Sequence, residues 1–206
     1  MTDWERWHEG YDEGSPLHGR LVCVQAQIRE LLDRSAPGPI RIVSVCAGQG
    51  RDLLPAVAGH PRREDVRARL VELDPRNVAA AAAAARAEGL EVDVVEGDAG
   101  SLGAYEGAVP AGIVLACGVL GNISDADVER TIAHLPMLCA PGASVIWTRG
   151  ASEPDLRPSI RNWFAEHGFE EEFFHAEPGS WGVGVHRLSA DPRPLDPAVE
   201  LFTFVR

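Results

Sequence analysis

Apolar positions along the chain fall into two kinds of run that take turns. Short continuous runs rich in Val, Ile and Leu are bounded by Gly, Pro or Asp. Longer runs place apolar residues every three or four positions. The first kind marks buried strands and the second amphipathic helices. Ser15 and Pro16 open a helix, as N-cap and first helical residue, that carries Leu21, Val24, Ile28, Leu31 and Leu32 and stops at Ala36-Pro37-Gly38-Pro39. A strand follows from Ile40 and ends in Ala47-Gly48-Gln49-Gly50, with a helix over 53–58 behind it. Asp52 stands where it can cap that helix and leave its N–H groups facing the turn. Further strands read at 68–73, 91–95, 112–116 and 143–148. Between them lie a Pro75-initiated helix through the alanine run 79–85, a Ser124-capped helix to about Leu138, and a turn at Ala140-Pro141-Gly142. A helix over 154–167 turns Ile160, Trp163 and Phe164 inward.

Strands alternating with helices predict an α/β fold: a doubly wound, mostly parallel sheet with helices on both faces. Residues 169–175, 181–188 and 201–205 are strand-like, with their pairing open, and predict an antiparallel C-terminal edge that completes a seven-stranded sheet. Near the N-terminus Trp4, Trp7, His8 and Tyr11 share one helical face. That face fits a terminal helix docked on the core, or a lid closing a pocket with Tyr11 and His8 as polar tips. The expected organisation is an N-terminal helical lid over 1–36 packed on a single core domain over 37–206.

The 206 residues are ample for one core, and 45% hydrophobic content is that of a globular protein. No apolar run approaches the ~18 residues of a membrane span, and the polar N-terminus is no secretory signal. A formal net charge of -12 disfavours gripping nucleic-acid phosphates and favours a small molecule. Cys23, Cys46, Cys117 and Cys139 are scattered, without metal-ligand spacing or a disulfide framework, so no metal and a reducing, cytoplasmic compartment are expected.

The turn after the first strand narrows the chemistry. Gly48 and Gly50 let the backbone bend and approach a ligand where open α/β sheets bind nucleotides. A dinucleotide site wants a third glycine, but that position is Leu53; a phosphate loop wants Gly-Lys-Ser or Gly-Lys-Thr, and neither occurs. An adenosine without phosphate asks instead for a carboxylate able to take two hydroxyl protons and an acceptor for an exocyclic amine. Glu72 and Asp98, each at a strand end, supply these. Their bland alternatives are a solvated strand-end carboxylate and a turn-forming Asp.

The stretch Val43-Ser44-Val45-Cys46-Ala47-Gly48-Gln49-Gly50 resembles the first motif of the class I S-adenosylmethionine-dependent methyltransferases, with Cys46 in the first glycine position and Ser44 where the family often carries an acidic residue. Val71-Glu72-Leu73-Asp74-Pro75 is similar to the ribose-binding segment, Glu96-Gly97-Asp98-Ala99 to the adenine-binding one, and Ala116-Cys117-Gly118-Val119-Leu120 to the segment beside the methionine part. The resemblance covers roughly residues 40–148. It implies a methyltransferase that uses S-adenosyl-L-methionine, yields S-adenosyl-L-homocysteine, and binds the cofactor through Cys46, Ala47, Gly48, Gln49, Gly50, Glu72, Leu73, Gly97, Asp98, Ala99, Cys117 and Gly118. It implies a small-molecule acceptor, as in secondary metabolism, for a monomer or homodimer that engages neither nucleic acid nor membrane. A protein side chain as acceptor, or a non-methylating relative of the same fold, are the alternatives. Cys46 and Cys117 end neighbouring strands, so their sulfurs are expected close together as small apolar fillers. Candidates for contact with the acceptor, or for its proton, are His8, Tyr11, Asn122, Arg149 and His186. Trp147, Trp181 and the N-terminal tryptophans suggest a flat or apolar acceptor.

Overall fold

A computed structural model of the chain describes residues 15–204. Helix α1 (Pro16–Arg34) begins where Ser15 accepts the His18 N–H at 3.1 Å. Then come β1 (Ile40–Val45), α2 (Leu54–Ala58), β2 (Val66–Glu72), α3 (Pro75–Ala87), β3 (Val92–Glu96), β4 (Ala111–Ala116), α4 (Asp125–His134), β5 (Cys139–Gly150), α5 (Arg157–Glu166), β6 (Phe169–Ala176) and β7 (Trp181–Leu188). The Ser124 cap expected for α4 is present, accepting the Asp127 N–H at 3.1 Å, and α3 is capped by Asp74, which accepts the Arg76 N–H at 2.9 Å.

The seven strands form one sheet in the order β3-β2-β1-β4-β5-β7-β6. The pairs β3–β2, β2–β1, β1–β4 and β4–β5 are parallel, while β7 runs antiparallel to both β5 and β6. Six strands therefore share one direction, and their carboxyl ends gather the turns that the sequence singled out. Side-chain alternation divides the interior into two cores. Ile42, Leu70, Ile113, Leu115 and Ile146 pack with α1, α2 and α3. Val43, Val45, Val71, Val114, Val145 and Trp147 pack with α4 and α5. Helix α1 is part of the first layer, with Val24, Ile28, Leu31 and Leu32 all at most 5% exposed. No helix among the described residues is long and apolar enough to cross a membrane.

Several expectations change. Residues 201–204 do not form a sheet strand: their β pairing is limited to an isolated bridge, Phe204 to Ile123, and Val205 lies outside the described residues. The turn at Ala140-Pro141-Gly142 lies inside β5, where a register shift against β4 and a positive φ of 73° at Gly142 absorb it. Helix α4 ends at His134 and a 3-10 turn, Leu135–Met137, completes the segment. Helix α5 starts at Arg157 rather than at Pro154, its first N–H held by the Asp155 carboxylate at 3.0 Å. Asp52 does not cap α2: the residue preceding the helix is Leu53, and the Gly50 carbonyl takes the first N–H groups, from Leu53 at 3.2 Å and Leu54 at 2.9 Å.

Candidate functional site

The turn after β1 is held from three sides. The Ala47 N–H reaches the Val71 carbonyl at 3.0 Å and the Gly50 N–H closes on the Ala47 carbonyl at 2.9 Å. Gln25 of α1 donates to the Arg51 carbonyl at 2.9 Å, and Gln49 reaches Asn77 of α3 at 3.4 Å. Gly48 (φ 55°) and Gly50 (φ 73°) are left-handed, which explains two of the glycines. At Gly50 space decides as well: a Cβ would lie 2.8 Å from Leu54 Cδ1 and 3.0 Å from Leu70 Cδ2. Gly50 thus lets the turn settle on the core.

Glu72 ends β2 directly beside this turn. Its Oε2 accepts the Gly48 N–H at 2.7 Å and its Oε1 accepts the Asp74 N–H at 2.9 Å. Each carboxylate oxygen has a second lone pair, so the carboxylate that orders the turn can still accept from a diol. Leu73, next in sequence, is 59% exposed and presents an apolar side chain at the same edge. Asp98 follows β3. Its Oδ1 accepts the Gly100 N–H at 2.8 Å, so it is the turn-forming Asp, and it is solvent-exposed. Gly97 continues the ladder to the Glu72 carbonyl at 2.9 Å. Ala99 is buried, its carbonyl accepting the Tyr105 hydroxyl at 2.9 Å.

Cys46 comes together with these two carboxylates. Burial, reinforced by Glu72 and Asp98, pushes its thiol well above the usual range and keeps it protonated. Cys117 is not beside it. Cys46 packs with the α4 and α5 core, Cys117 with the α1–α3 core. The cause is local: Cys46 is left-handed (φ 54°), which breaks the strand alternation and sends its sulfur to the opposite face. Cys117 instead feels Asp52, Arg20 and Cys23, and burial raises its thiol pKa too. Asp52 there is raised by burial, with Arg20 pulling the other way. Ser44 is buried in the middle of β1.

The turn after β4 is fixed by side chains. Thr148 accepts the Gly118 N–H at 2.8 Å and Asn122 donates to the Gly118 carbonyl at 2.7 Å. Arg149 is buried, and its Nη1 donates to the Leu120 carbonyl. Burial lowers its pKa and the Asp125 and Asp155 carboxylates raise it. An arginine with those neighbours holds its charge and cannot act as a base.

His186 lies elsewhere. It pairs with Val145 in the middle of β5, several residues from the carboxyl strand ends, and is 1% exposed. Its Nδ1 accepts the Trp147 indole N–H at 3.0 Å, and its ring stacks on Phe164 at 4.3 Å between centroids. Burial drives its pKa down to about 4. It is a core histidine, and Trp147, fully buried against Gly184, is a core residue rather than an acceptor platform. Trp181 is half-buried, beside Gly19 of α1. Trp4, Trp7, His8 and Tyr11 lie outside the described residues. Tyr105, Thr148 and the chain beyond β7 also hold the site's turns. Their roles depend on tertiary pairing, and only the short apolar run at 201–205 signalled one of them.

Among the described residues no group of His, Cys, Asp or Glu is arranged to hold a metal. The amino-terminal strand ends carry a groove of about 530 Å³ lined by Arg41, Arg67 and Arg69. Its arginines are already engaged: Arg67 and Arg69 are paired with Glu91 and Asp93 at 2.9 and 2.8 Å.

The strand order, the reversed β7 and a glycine turn buttressed by an acidic residue define the fold of the class I S-adenosylmethionine-dependent methyltransferases. No protein-family model matches the chain, and no curated protein matches it by sequence. Solved structures do. Magnesium protoporphyrin IX methyltransferase from Synechocystis PCC 6803, with bound SAM, is 16% identical with a TM-score of 0.69 over 92% of both chains. An O-methyltransferase family protein from Burkholderia thailandensis is 16% identical with a TM-score of 0.62, over 82% of this chain and 57% of its own. The CurJ carbon methyltransferase is 14% identical with a TM-score of 0.69, over 87% and 57%. The chain thus spans a little over half of two of these proteins and nearly all of the third.

Proposed function

We propose that the chain is an S-adenosylmethionine-dependent methyltransferase acting on a small molecule. The observation that carries this is the Glu72 carboxylate bound at once to the Gly48 and Asp74 N–H groups, which fixes an acidic diol acceptor against a phosphate-free glycine turn. The residues present fit that cofactor. Glu72 keeps lone pairs for the two ribose hydroxyls, Asp98 is an exposed acceptor for the adenine amine, and Leu73 offers an apolar contact for the base. Gly48, Gln49 and Gly118 bring backbone close to the methionine part. The acidic groups also suit a ligand bearing a sulfonium and an ammonium.

When bound, S-adenosylmethionine supplies an electrophilic methyl group that an acceptor nucleophile takes by in-line displacement, with S-adenosylhomocysteine as product. What the chain contributes is alignment and exclusion of water, worth up to about 7–11 kcal/mol in favourable cases. Asn122 and Arg149 hold the turn after β4 in place, and so position the acceptor rather than exchange protons with it. With His186 in the core, His8 and Tyr11 remain the proposed groups for a proton, where the acceptor has one to lose. The small-molecule reading is supported by the net charge of -12 and by a neighbour named for a porphyrin.

A thermal-shift comparison tests the reading. S-adenosylhomocysteine should raise the unfolding temperature and NAD or ATP should not, because no part of the turn is built for phosphate. Stabilisation by NAD or ATP alone would overturn it.

A further inference from the structure

The crossover from β3 to β4 carries only a 3-10 turn, Leu102–Tyr105, whereas each other crossover in the parallel part carries a helix. The chain beyond β7 fills the space beside it. The Arg193 N–H donates to the Pro136 carbonyl at 3.1 Å, and the chain then returns past the end of β3. Leu102 donates to the Val199 carbonyl at 3.1 Å and Leu201 donates to the Gly100 carbonyl at 2.7 Å. Bridges join Ser101 to Glu200 and Ile123 to Phe204. From α4, Arg130 Nε and Thr131 Oγ1 donate to the Leu201 carbonyl at 3.0 and 3.2 Å, and the Asp127 carboxylate accepts the Thr203 N–H at 3.3 Å. Leu201 and Phe202 are buried, at 0% and 2% exposure.

This strap meets the cofactor site at one residue. Gly100 donates its N–H to Asp98 Oδ1 and accepts from Leu201 at its carbonyl. A Cβ on Gly100 would lie 2.6 Å from the Phe202 carbonyl oxygen and 3.2 Å from Asp98 Oδ1. The strap, Gly100 and the Asp98 carboxylate are therefore in direct contact, with no room between them.

We propose that the strap over 199–204 belongs to the cofactor-recognition apparatus. Through Gly100 it fixes the Asp98 carboxylate, and so sets the preference for a 6-amino purine on the bound adenosyl ligand. Gly100 and Leu201 are positioning residues, since neither touches the ligand in this account. The inference rests on the adenosyl reading given under the proposed function.

The test compares dissociation constants for S-adenosyl-L-homocysteine and S-inosyl-L-homocysteine, in which an oxo group replaces the amine. The wild-type protein should favour the adenosyl form by about 10–100-fold, since one charge-assisted hydrogen bond is lost and an oxygen is turned toward Asp98. In Gly100→Ala, and in a chain truncated after Ala198, that ratio should fall below about 3-fold. General loosening of the fold weakens both ligands alike and leaves the ratio intact. A retained ratio in Gly100→Ala, or no preference in the wild type, overturns the inference. Should either variant fail to fold, hydrogen exchange on the wild type decides: S-adenosylhomocysteine should slow exchange at the Leu201 and Leu102 amides, and unchanged rates would overturn the proposal. Failure of both ligands to bind the wild type would instead sink the adenosyl reading itself.

Discussion

Replacing Glu72 by Gln keeps the shape of the side chain and removes its charge. In the wild type both oxygens accept from backbone, Oε2 from Gly48 at 2.7 Å and Oε1 from Asp74 at 2.9 Å. A glutamine can satisfy only one of these donors; its NH2 faces the other, so one bond is lost and two donors oppose each other. Hydrogen bonds to charged groups contribute about 1.5–3 kcal/mol, so the unliganded protein should lose about 2 kcal/mol. For a chain of this size that is a fall of roughly 4–8 °C in Tm, measured by circular dichroism. The same substitution removes a lone-pair site for the ribose and loosens Gly48. S-adenosylhomocysteine affinity should therefore drop about 10–100-fold, read by calorimetry. An unchanged Tm together with an unchanged Kd would refute the argument and move the ribose role to Asp74.

Gly184→Ala places a Cβ 2.4–2.6 Å from three atoms of the buried Trp147 indole, and should cost about 1–3 kcal/mol in urea unfolding; an unchanged midpoint would contradict that packing. Gly50→Ala combines a φ of 73° with contacts at 2.8–3.0 Å to Leu54 and Leu70, so it should lower both Tm and cofactor affinity, and a fully active, equally stable variant would show the turn to be more yielding than described. His186 has its folded pKa lowered from 6.5 to about 4. The unfolded chain therefore binds a proton that the folded one refuses, and stability falls as pH drops from 6.5 toward 4, by about 3 kcal/mol over the whole window. His186→Leu should flatten that part of the urea-derived stability profile, whatever constant offset it adds by orphaning the Trp147 N–H, and an identical slope in both proteins would place the acid sensitivity elsewhere.

What the chain reveals in advance follows from how local each feature is. The central strands are legible because both their faces are buried, so Ile113, Val114 and Leu115 read as a continuous apolar run and Ile42, Val43 and Val45 as one broken only by Ser44. Glu72 and Asp98 are legible because a strand end fixes where its next residue goes. The separation of Cys46 from Cys117 is not, since it turns on one left-handed residue that no periodicity displays. The depth of His186 is not legible either, because its height in the sheet depends on the register of β7 against β5, which is set by tertiary packing. Residues 201–204 are mostly apolar, like a strand, yet their polar backbone is taken up by Gly100, Arg130 and Asp127 rather than by a sheet edge. Asp52 shows the limit at helix ends: the Gly50 carbonyl begins the helix two residues beyond it, and its carboxylate is left beside Arg20.

The most direct measurement is calorimetric titration of the purified chain with S-adenosylmethionine and S-adenosylhomocysteine. Saturable binding of both at about one site per chain, weakened by Glu72→Ala, is the predicted result. Absence of heat for either ligand, with Gly48, Gly50 and Glu72 intact and the protein folded, would contradict the assignment of the strand-end crevice as an adenosyl site.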